Sequence, residues 1–240
     1  MKKFLIIFIT VLVSACAAKE PPFDAVSKFR DAEDKMHKER YEEARKAYQE
    51  IQEKAPDRSY DADIMLRIAD TYFGEEKYSE AQVEYRSFLN FHPVHRDAPY
   101  AQYQIAQCSY KEITTIDRDP EVVRTALKEF QRLLEKYPRN AYEEQAKSHI
   151  ALLRDRLAEY ELYVGKFYHK KGSYKAALGR LERLLRDYPG SSAEKDALYY
   201  AGLTYLELGE RDRALGLFET LTQKYPSMSD RVEAAKRKLQ

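Results

Sequence analysis

Glycine is scarce in this chain, 8 residues in 240, and none of the 8 belongs to a glycine-rich phosphate loop or to a nucleophile elbow. Charge of one sign is also missing. With Lys2 and Lys3 set aside, 39 basic residues face 40 acidic ones, which removes the electrostatic case for nucleic acid. Beyond the first fifteen residues no apolar run is long enough to cross a bilayer. His92 and His95 have Asp97 nearby, but Pro93 lies between the histidines and no third ligand set appears, so the sequence offers no metal site. Asp117 and Asp119 lack the glycine and the bidentate glutamate of a calcium loop. The remaining carboxylates fall three or four positions from Lys or Arg, as Glu42 does from Arg45 and Lys46, the pattern of solvated helix faces. The expectation is a non-enzymatic protein without a cofactor.

The start of the chain carries an address. Lys2 and Lys3 precede an apolar run from Phe4 to Val13, and Val13-Ser14-Ala15-Cys16 is a small-residue cleavage site ending on cysteine. This looks like a bacterial lipobox. Residues 1–15 are then a lipoprotein signal peptide, Cys16 the site of lipid attachment (palmitate among the acyl chains), and residues 16–22 a lipidated tether. Ala17, where an aspartate would favour the inner membrane, points to the outer membrane and its periplasmic face. The competing explanation is an ordinary secretory signal with an incidental cysteine. Cys108 sits in an apolar helical setting, without a partner if Cys16 carries lipid, and reads as a small buried side chain.

Charged residues at 34% with so little glycine predict helices, and an internal repeat organises them. Ala44, Tyr48, Ile51 and Pro56 return as Ala81, Tyr85, Phe88 and Pro93, then as Ala126, Phe130, Leu133 and Pro138, as Ala177, Leu181, Leu184 and Pro189, and as Ala214, Phe218, Leu221 and Pro226. Small residues in the preceding helices, Gly165 and Gly202, allow close approach, and each proline closes a helix. This is the tetratricopeptide pattern. It predicts an all-α solenoid of five helix pairs. Between Tyr142 and Tyr168, Ala146, Ile150, Leu153, Leu157, Tyr160, Val164 and Phe167 keep one apolar stripe, so one extended helix of roughly 40 Å joins repeats three and four. The extra residues of repeat three are read as a turn from Thr114 to Val122. Residues 23–140 form a front half of three repeats, and residues 141–240 a back half of two, with a basic capping helix after Ser227.

In such arrays the first helices line a concave face. Counting from the aligned prolines places Phe29, Met36, Leu66, Phe73, Tyr100, Tyr103 and Tyr110 on it, an aromatic groove suited to an extended peptide. For any one of these, packing between repeats is the competing explanation. The corresponding residues of repeat four, Glu159, Leu162, Lys166 and His169, are more polar, which puts peptide capture in the front half.

Four runs are more specific than the repeat: Asp117-Arg118-Asp119-Pro120, Tyr137-Pro138-Arg139-Asn140, Leu153-Arg154-Asp155-Arg156-Leu157-Ala158-Glu159-Tyr160-Glu161, and Leu185-Arg186-Asp187-Tyr188-Pro189. With the lipobox and the long helix, the chain from about Phe23 to Pro226 resembles the BamD family, lipoproteins of the outer-membrane β-barrel assembly machinery. The resemblance implies an adaptor with no cofactor. Its front repeats would receive the aromatic-ended carboxy-terminal strand of unfolded outer membrane proteins, and its back repeats would dock on the periplasmic domain of a BamA-type barrel protein, beside other Bam lipoproteins. It also implies that Arg180 makes an ion pair with that domain. Ala55-Pro56 departs from the family's Tyr-Pro, so contacts attributed to that tyrosine do not transfer. The alternatives are another lipoprotein adaptor, such as a secretin pilotin or cell-envelope coordinator, and an envelope hydrolase.

Overall fold

The computed structural model describes residues 23–55, 61–113 and 120–237. The signal, Cys16 and the tether, Pro56, and all of the Asp117-Arg118-Asp119-Pro120 run except Pro120 lie outside the described residues. The described chain is built from helix pairs: α1 (Ala25–His37) with α2 (Tyr41–Lys54), α3 (Asp61–Gly74) with α4 (Tyr78–Phe91), α5 (Ala98–Lys111) with α6 (Pro120–Lys136), α7 (Glu143–Lys170) with α8 (Tyr174–Asp187), and α9 (Glu194–Glu207) with α10 (Arg211–Lys224). A short 3-10 turn over Pro226–Met228 leads to α11 (Ser229–Lys236), which buries Val232 and Ala235 and closes the end of the array. This is a tetratricopeptide solenoid, each helix packing chiefly on its sequence neighbours.

The repeat signature has a direct structural meaning. Ala44, Ala81, Ala126, Ala177 and Ala214 are fully buried, as are the large residues four positions later, Tyr48, Tyr85, Phe130, Leu181 and Phe218. In repeats four and five the facing residue is glycine because nothing larger fits. A Cβ at Gly165 would lie 2.8 Å from the Leu181 side chain, and one at Gly202 would lie 2.5 Å from the Phe218 ring. Gly202→Ala is therefore expected to cost about 1–3 kcal/mol of stability by overpacking, measured by chemical denaturation. A variant as stable as wild type would mean that the Phe218 ring moves aside freely.

The turn inside each pair also repeats. Glu39, Glu76, Gly172 and Gly209 all adopt positive φ, five residues before the repeat alanines at 44, 81, 177 and 214. At each, the next amide bonds back to a carbonyl five residues earlier, for example Ser173 N–H to Tyr168 O at 3.0 Å, which satisfies a helix-end carbonyl. Helix α6 begins at Pro120, so the last three residues of the turn expected to run to Val122 are helical instead. Proline is well suited to a helix start, where its missing N–H would have no intrahelical acceptor.

Repeats are also joined by charge. Arg45, expected to pair with Glu42 in solvent, instead turns inward: its Nη1 lies 3.2 Å from Thr71 Oγ1 and 2.9 Å from Glu75 Oε2, and its guanidinium covers the Tyr72 ring. The Glu42 carboxylate is left to Lys46. Hydrogen bonding from Arg45 holds the Glu75 carboxyl below the usual glutamate range. A depressed folded-state value gives stabilisation that is present above the ordinary value, about 4.5, and lost as pH falls through the folded one. Arg45→Met should flatten that part of the acid-unfolding profile; an unchanged slope would show the pair to be uncoupled from folding.

Helix α7 is the joint of the array. Its 28 residues match the long helix expected from the apolar stripe, but the stripe does not stay on one buried face. Ala146, Leu153 and Leu157 enter a core with Phe130 and Leu133 of α6, whereas Ala158 enters the next core, with Leu181 of α8 and Ala201 of α9. Past this point the buried positions are Ala158, Glu161 and Gly165, and Phe167 is 49% exposed. The helix changes partners, so its inward face rotates by one residue. Cys108 is buried in the core between α3 and α5, and burial pushes its thiol up to about 12. It is expected to resist alkylation at pH 8 until the chain is unfolded.

Candidate functional site

Helices α1, α3 and α5 line a concave surface with two adjoining cavities of about 450 and 380 Å3. Five of the seven predicted groove residues reach them: Phe29, Leu66 and Tyr100 in the larger, Met36, Phe73 and again Tyr100 in the smaller. Tyr103 and Tyr110 do not. The Tyr103 ring stacks on Tyr142 at 4.6 Å and meets the edge of Phe130, while Tyr110 packs against His149 and lines a separate hollow beside α7. Both lie farther along α5 than Tyr100 and face residues at or within α7, where they fill space between repeats.

The floor of the groove is charged as well as aromatic. Asp63, Arg67 and Asp70 share the α3 face with Leu66 and Phe73, the spacing of three and four that a helix imposes. Asp70, with 11% of its side chain exposed, is the hub. Its Oδ1 accepts hydrogen bonds from the hydroxyls of Tyr85 and Tyr100, both at 2.6 Å, and its Oδ2 lies 3.3 Å from Arg67 Nη1. Arg67 Nε meets Glu33 at 3.0 Å, and Glu33 accepts from the buried Tyr48 hydroxyl. Burial pushes the Asp70 carboxyl up from its usual range, against the three donors that favour its charged form. The same burial pushes the Tyr85 and Tyr100 hydroxyls well above theirs. The network fixes the rings that form the groove wall. Sequence reading found the aromatics and passed over the acids, although their spacing put them on the same face.

Arg180 is not a free surface charge. It is one of three arginines around Glu161, a carboxylate only 1% exposed: Arg180 Nη1 lies 3.2 Å from Oε2, Arg183 3.7 Å and Arg124 3.9 Å from Oε1. Oε1 is buried without a hydrogen-bond partner among the described residues. The arginines keep 33–46% of their side chains exposed, so the cluster presents excess positive charge to solvent at the junction of α6, α7 and α8.

Two runs singled out in the sequence meet here. Arg154 Nη2 donates to the carbonyl of Asp187 at 2.8 Å and its guanidinium faces the Tyr188 ring, while Asp155 Oδ1 accepts from the Ser192 amide at 3.0 Å. The Arg-Asp-Arg-Leu run of α7 is thereby stitched to the loop after α8.

A larger cavity than these two, about 780 Å3, lies elsewhere, on the back-half residues read as more polar: Glu159, Leu162, Lys166 and His169, with Tyr163, Phe167, Lys170 and Tyr200. Among the described residues no helix is long and apolar enough to cross a membrane.

Residues 23–215 match the family YfiO, described as outer membrane lipoprotein. Among curated proteins, the chain is 25% identical to an outer membrane protein assembly factor BamD from Caulobacter vibrioides, over 80% of this chain and 66% of that protein. It is 24% identical to one from Neisseria meningitidis serogroup A, over 82% of each, and 26% to one from Rickettsia prowazekii, over 81% and 79%. Among solved structures, it is similar to YrrB, a tetratricopeptide protein with an unusual peptide-binding site, at 20% identity, TM-score 0.36, covering 89% of this chain and 92% of that one. A thermophilic tetratricopeptide protein from Thermus thermophilus is similar at 15% identity, TM-score 0.38, covering 88% and 98%.

Proposed function

Since the chain belongs to the YfiO family of outer membrane lipoproteins, we propose that it is an outer membrane protein assembly factor of the BamD type: a lipid-anchored adaptor on the periplasmic face that brings unfolded barrel proteins to a BamA-type partner. The observation that carries this reading is the match over residues 23–215, with relatives of that name aligned over about four-fifths of the chain. The anchor is the lipidated Cys16. The front half, residues 23–140, takes an extended segment of unfolded substrate along Phe29, Met36, Leu66, Phe73 and Tyr100. The back half, residues 141–240, docks through Arg180 on an acidic edge of the BamA periplasmic domain, beside other Bam lipoproteins. The work is positional, and neither a catalytic group nor a cofactor enters it.

The geometry supports an electrostatic dock at Arg180 in a particular way. Glu161, and Glu121 at 3.2 Å from Arg124, do not together neutralise three guanidiniums, so an acidic surface laid over Arg124, Arg180 and Arg183 would complete the cluster. Losing a desolvated interfacial pair of this kind costs about 2–5 kcal/mol of binding.

The test is a mild-detergent pull-down of the tagged lipoprotein from outer membranes, comparing wild type with the double variant Glu161→Gln/Arg180→Gln. The double change removes the arginine without stranding the buried carboxylate. A BamA-type barrel recovered with wild type and depleted with the variant is the expected result. Equal recovery would retain the adaptor role and remove Arg180 from the dock. Recovery of a secretin or cell-wall protein with no barrel would replace the reading with that of another envelope adaptor.

A further inference from the structure

Several lysines of this chain pair with a carboxylate four positions earlier: Lys35 with Asp31, Lys38 with Asp34, Lys46 with Glu42, Lys54 with Glu50, Lys147 with Glu143. Lys166 and Lys170 have no such partner, and both border one cavity. They stand four apart on α7, one like charge above the other, an arrangement that disfavours the helix by a few tenths of a kcal/mol. Neither has a carboxylate within salt-bridge distance among the described residues; the ammonium of Lys166 instead lies 4.9 Å from the centre of the Tyr200 ring. Beside them runs a second stripe with the same spacing, Tyr163 and Phe167, exposed by 61% and 49%. Both stripes border the same cavity of about 780 Å3, with Leu162 and Tyr200 also in its lining.

An unpaired double cation and an exposed aromatic pair are each unfavourable alone, and their coincidence along one concave wall is what a ligand would relieve. We propose that this back-half groove is a second peptide site, taking an extended acidic segment of a partner protein in which a large apolar side chain neighbours two carboxylates. The carboxylates lie over Lys166 and Lys170, and the apolar side chain enters between Phe167 and Tyr200. His169 is held in place by Thr204, its Nδ1 2.9 Å from the hydroxyl, and burial lowers its affinity for a proton, so the positive charge of the wall comes from the lysines. Glu159 at the far end of the groove repels a carboxylate there and fixes the direction in which the segment lies. This site is separate from the front groove and from the Arg180 cluster.

The experiment uses the purified full chain without its signal and a fluorescent peptide of about ten residues, capped at both ends, with two aspartates around one phenylalanine. Saturable binding is expected, weakened by about tenfold or more both when the aspartates are replaced by asparagine and in the Lys166→Glu/Lys170→Glu variant. Because neither lysine is in an ion pair and the one internal contact is that of Lys166 with the Tyr200 ring, the variant should unfold within about 1 kcal/mol of wild type. Phe167→Ala, which removes the apolar wall and leaves both charges, should weaken binding by about fivefold. Absence of saturable binding up to about 1 mM, the weak end of specific affinity, would overturn the proposal. So would equal affinity for the asparagine peptide, or undiminished binding by the lysine variant. A third peptide, without internal acids but with a free terminal phenylalanine carboxylate, separates the sources of charge; if it alone binds, the groove reads chain ends and the proposal fails.

Discussion

Reversing the charge at Arg180 to glutamate should destabilise the folded chain by about 3–5 kcal/mol, independently of any partner. Glu161 is 1% exposed, and Arg180 is the nearest of the three arginines that compensate it. The reversal removes that compensation and sets a second carboxylate against a buried first. Arg124 and Arg183, at 3.9 and 3.7 Å, are too distant to replace a hydrogen bond, so the remaining attraction is weaker. Adding Glu161→Gln should recover most of the loss, because a neutral amide in the same place has no charge to strand. Denaturant midpoints of wild type, the single reversal and the double change give the answer. A single reversal within about 1 kcal/mol of wild type would mean that water reaches Glu161. Loss of partner binding in Arg180→Glu taken alone would then report unfolding of the joint as much as loss of a docking contact, which is why the neutral double variant is the better probe of docking.

Asp70→Ala should cost about 3 kcal/mol or more, because it leaves the hydroxyls of Tyr85 and Tyr100 without their shared acceptor and Arg67 with Glu33 as its remaining partner. The Tyr85 hydroxyl sits in a fully buried side chain and is the costliest of the three to leave unmade. Asp70→Asn, which keeps one oxygen for the tyrosines, should cost about 1–2 kcal/mol. In an Asp70→Ala background, Tyr85→Phe should be nearly silent, whereas alone it should cost about 1 kcal/mol; additive losses would show that the bond contributes little. The groove has the same stake in this residue. If Tyr100 is released, the shared wall of the two front cavities loses its position, and capture of an extended peptide should weaken together with stability.

The repeat and the helices that carry it were determined locally. An alanine every time at the crossing, a large side chain four residues later and a proline at the exit are requirements of a helix pair, and each can be read from spacing alone because α-helical neighbours are three and four apart. The same spacing placed Phe29, Met36, Leu66, Phe73 and Tyr100 on one concave face. It could not say that Tyr103 and Tyr110, in the same register, would turn toward α7, because that depends on how far the third repeat rotates against the fourth.

What only the tertiary structure decided is where charge is buried and where it is left over. Glu161, Asp70 and Arg45 look like ordinary members of solvated helix faces, and apart from Arg67, three positions before Asp70, their partners lie 15 to 37 positions away, beyond any pattern within one helix. The exchange of cores along α7 between Leu157 and Ala158 belongs to the same class. A periodic stripe records that a face is apolar, but which neighbour covers it, and from which residue onward it is uncovered, is set by the packing of the repeats on either side. For that reason Lys166, Lys170, Tyr163 and Phe167 pass in the sequence for the polar and apolar residues of any helix, and become a groove only when α9 brings Tyr200 beneath them.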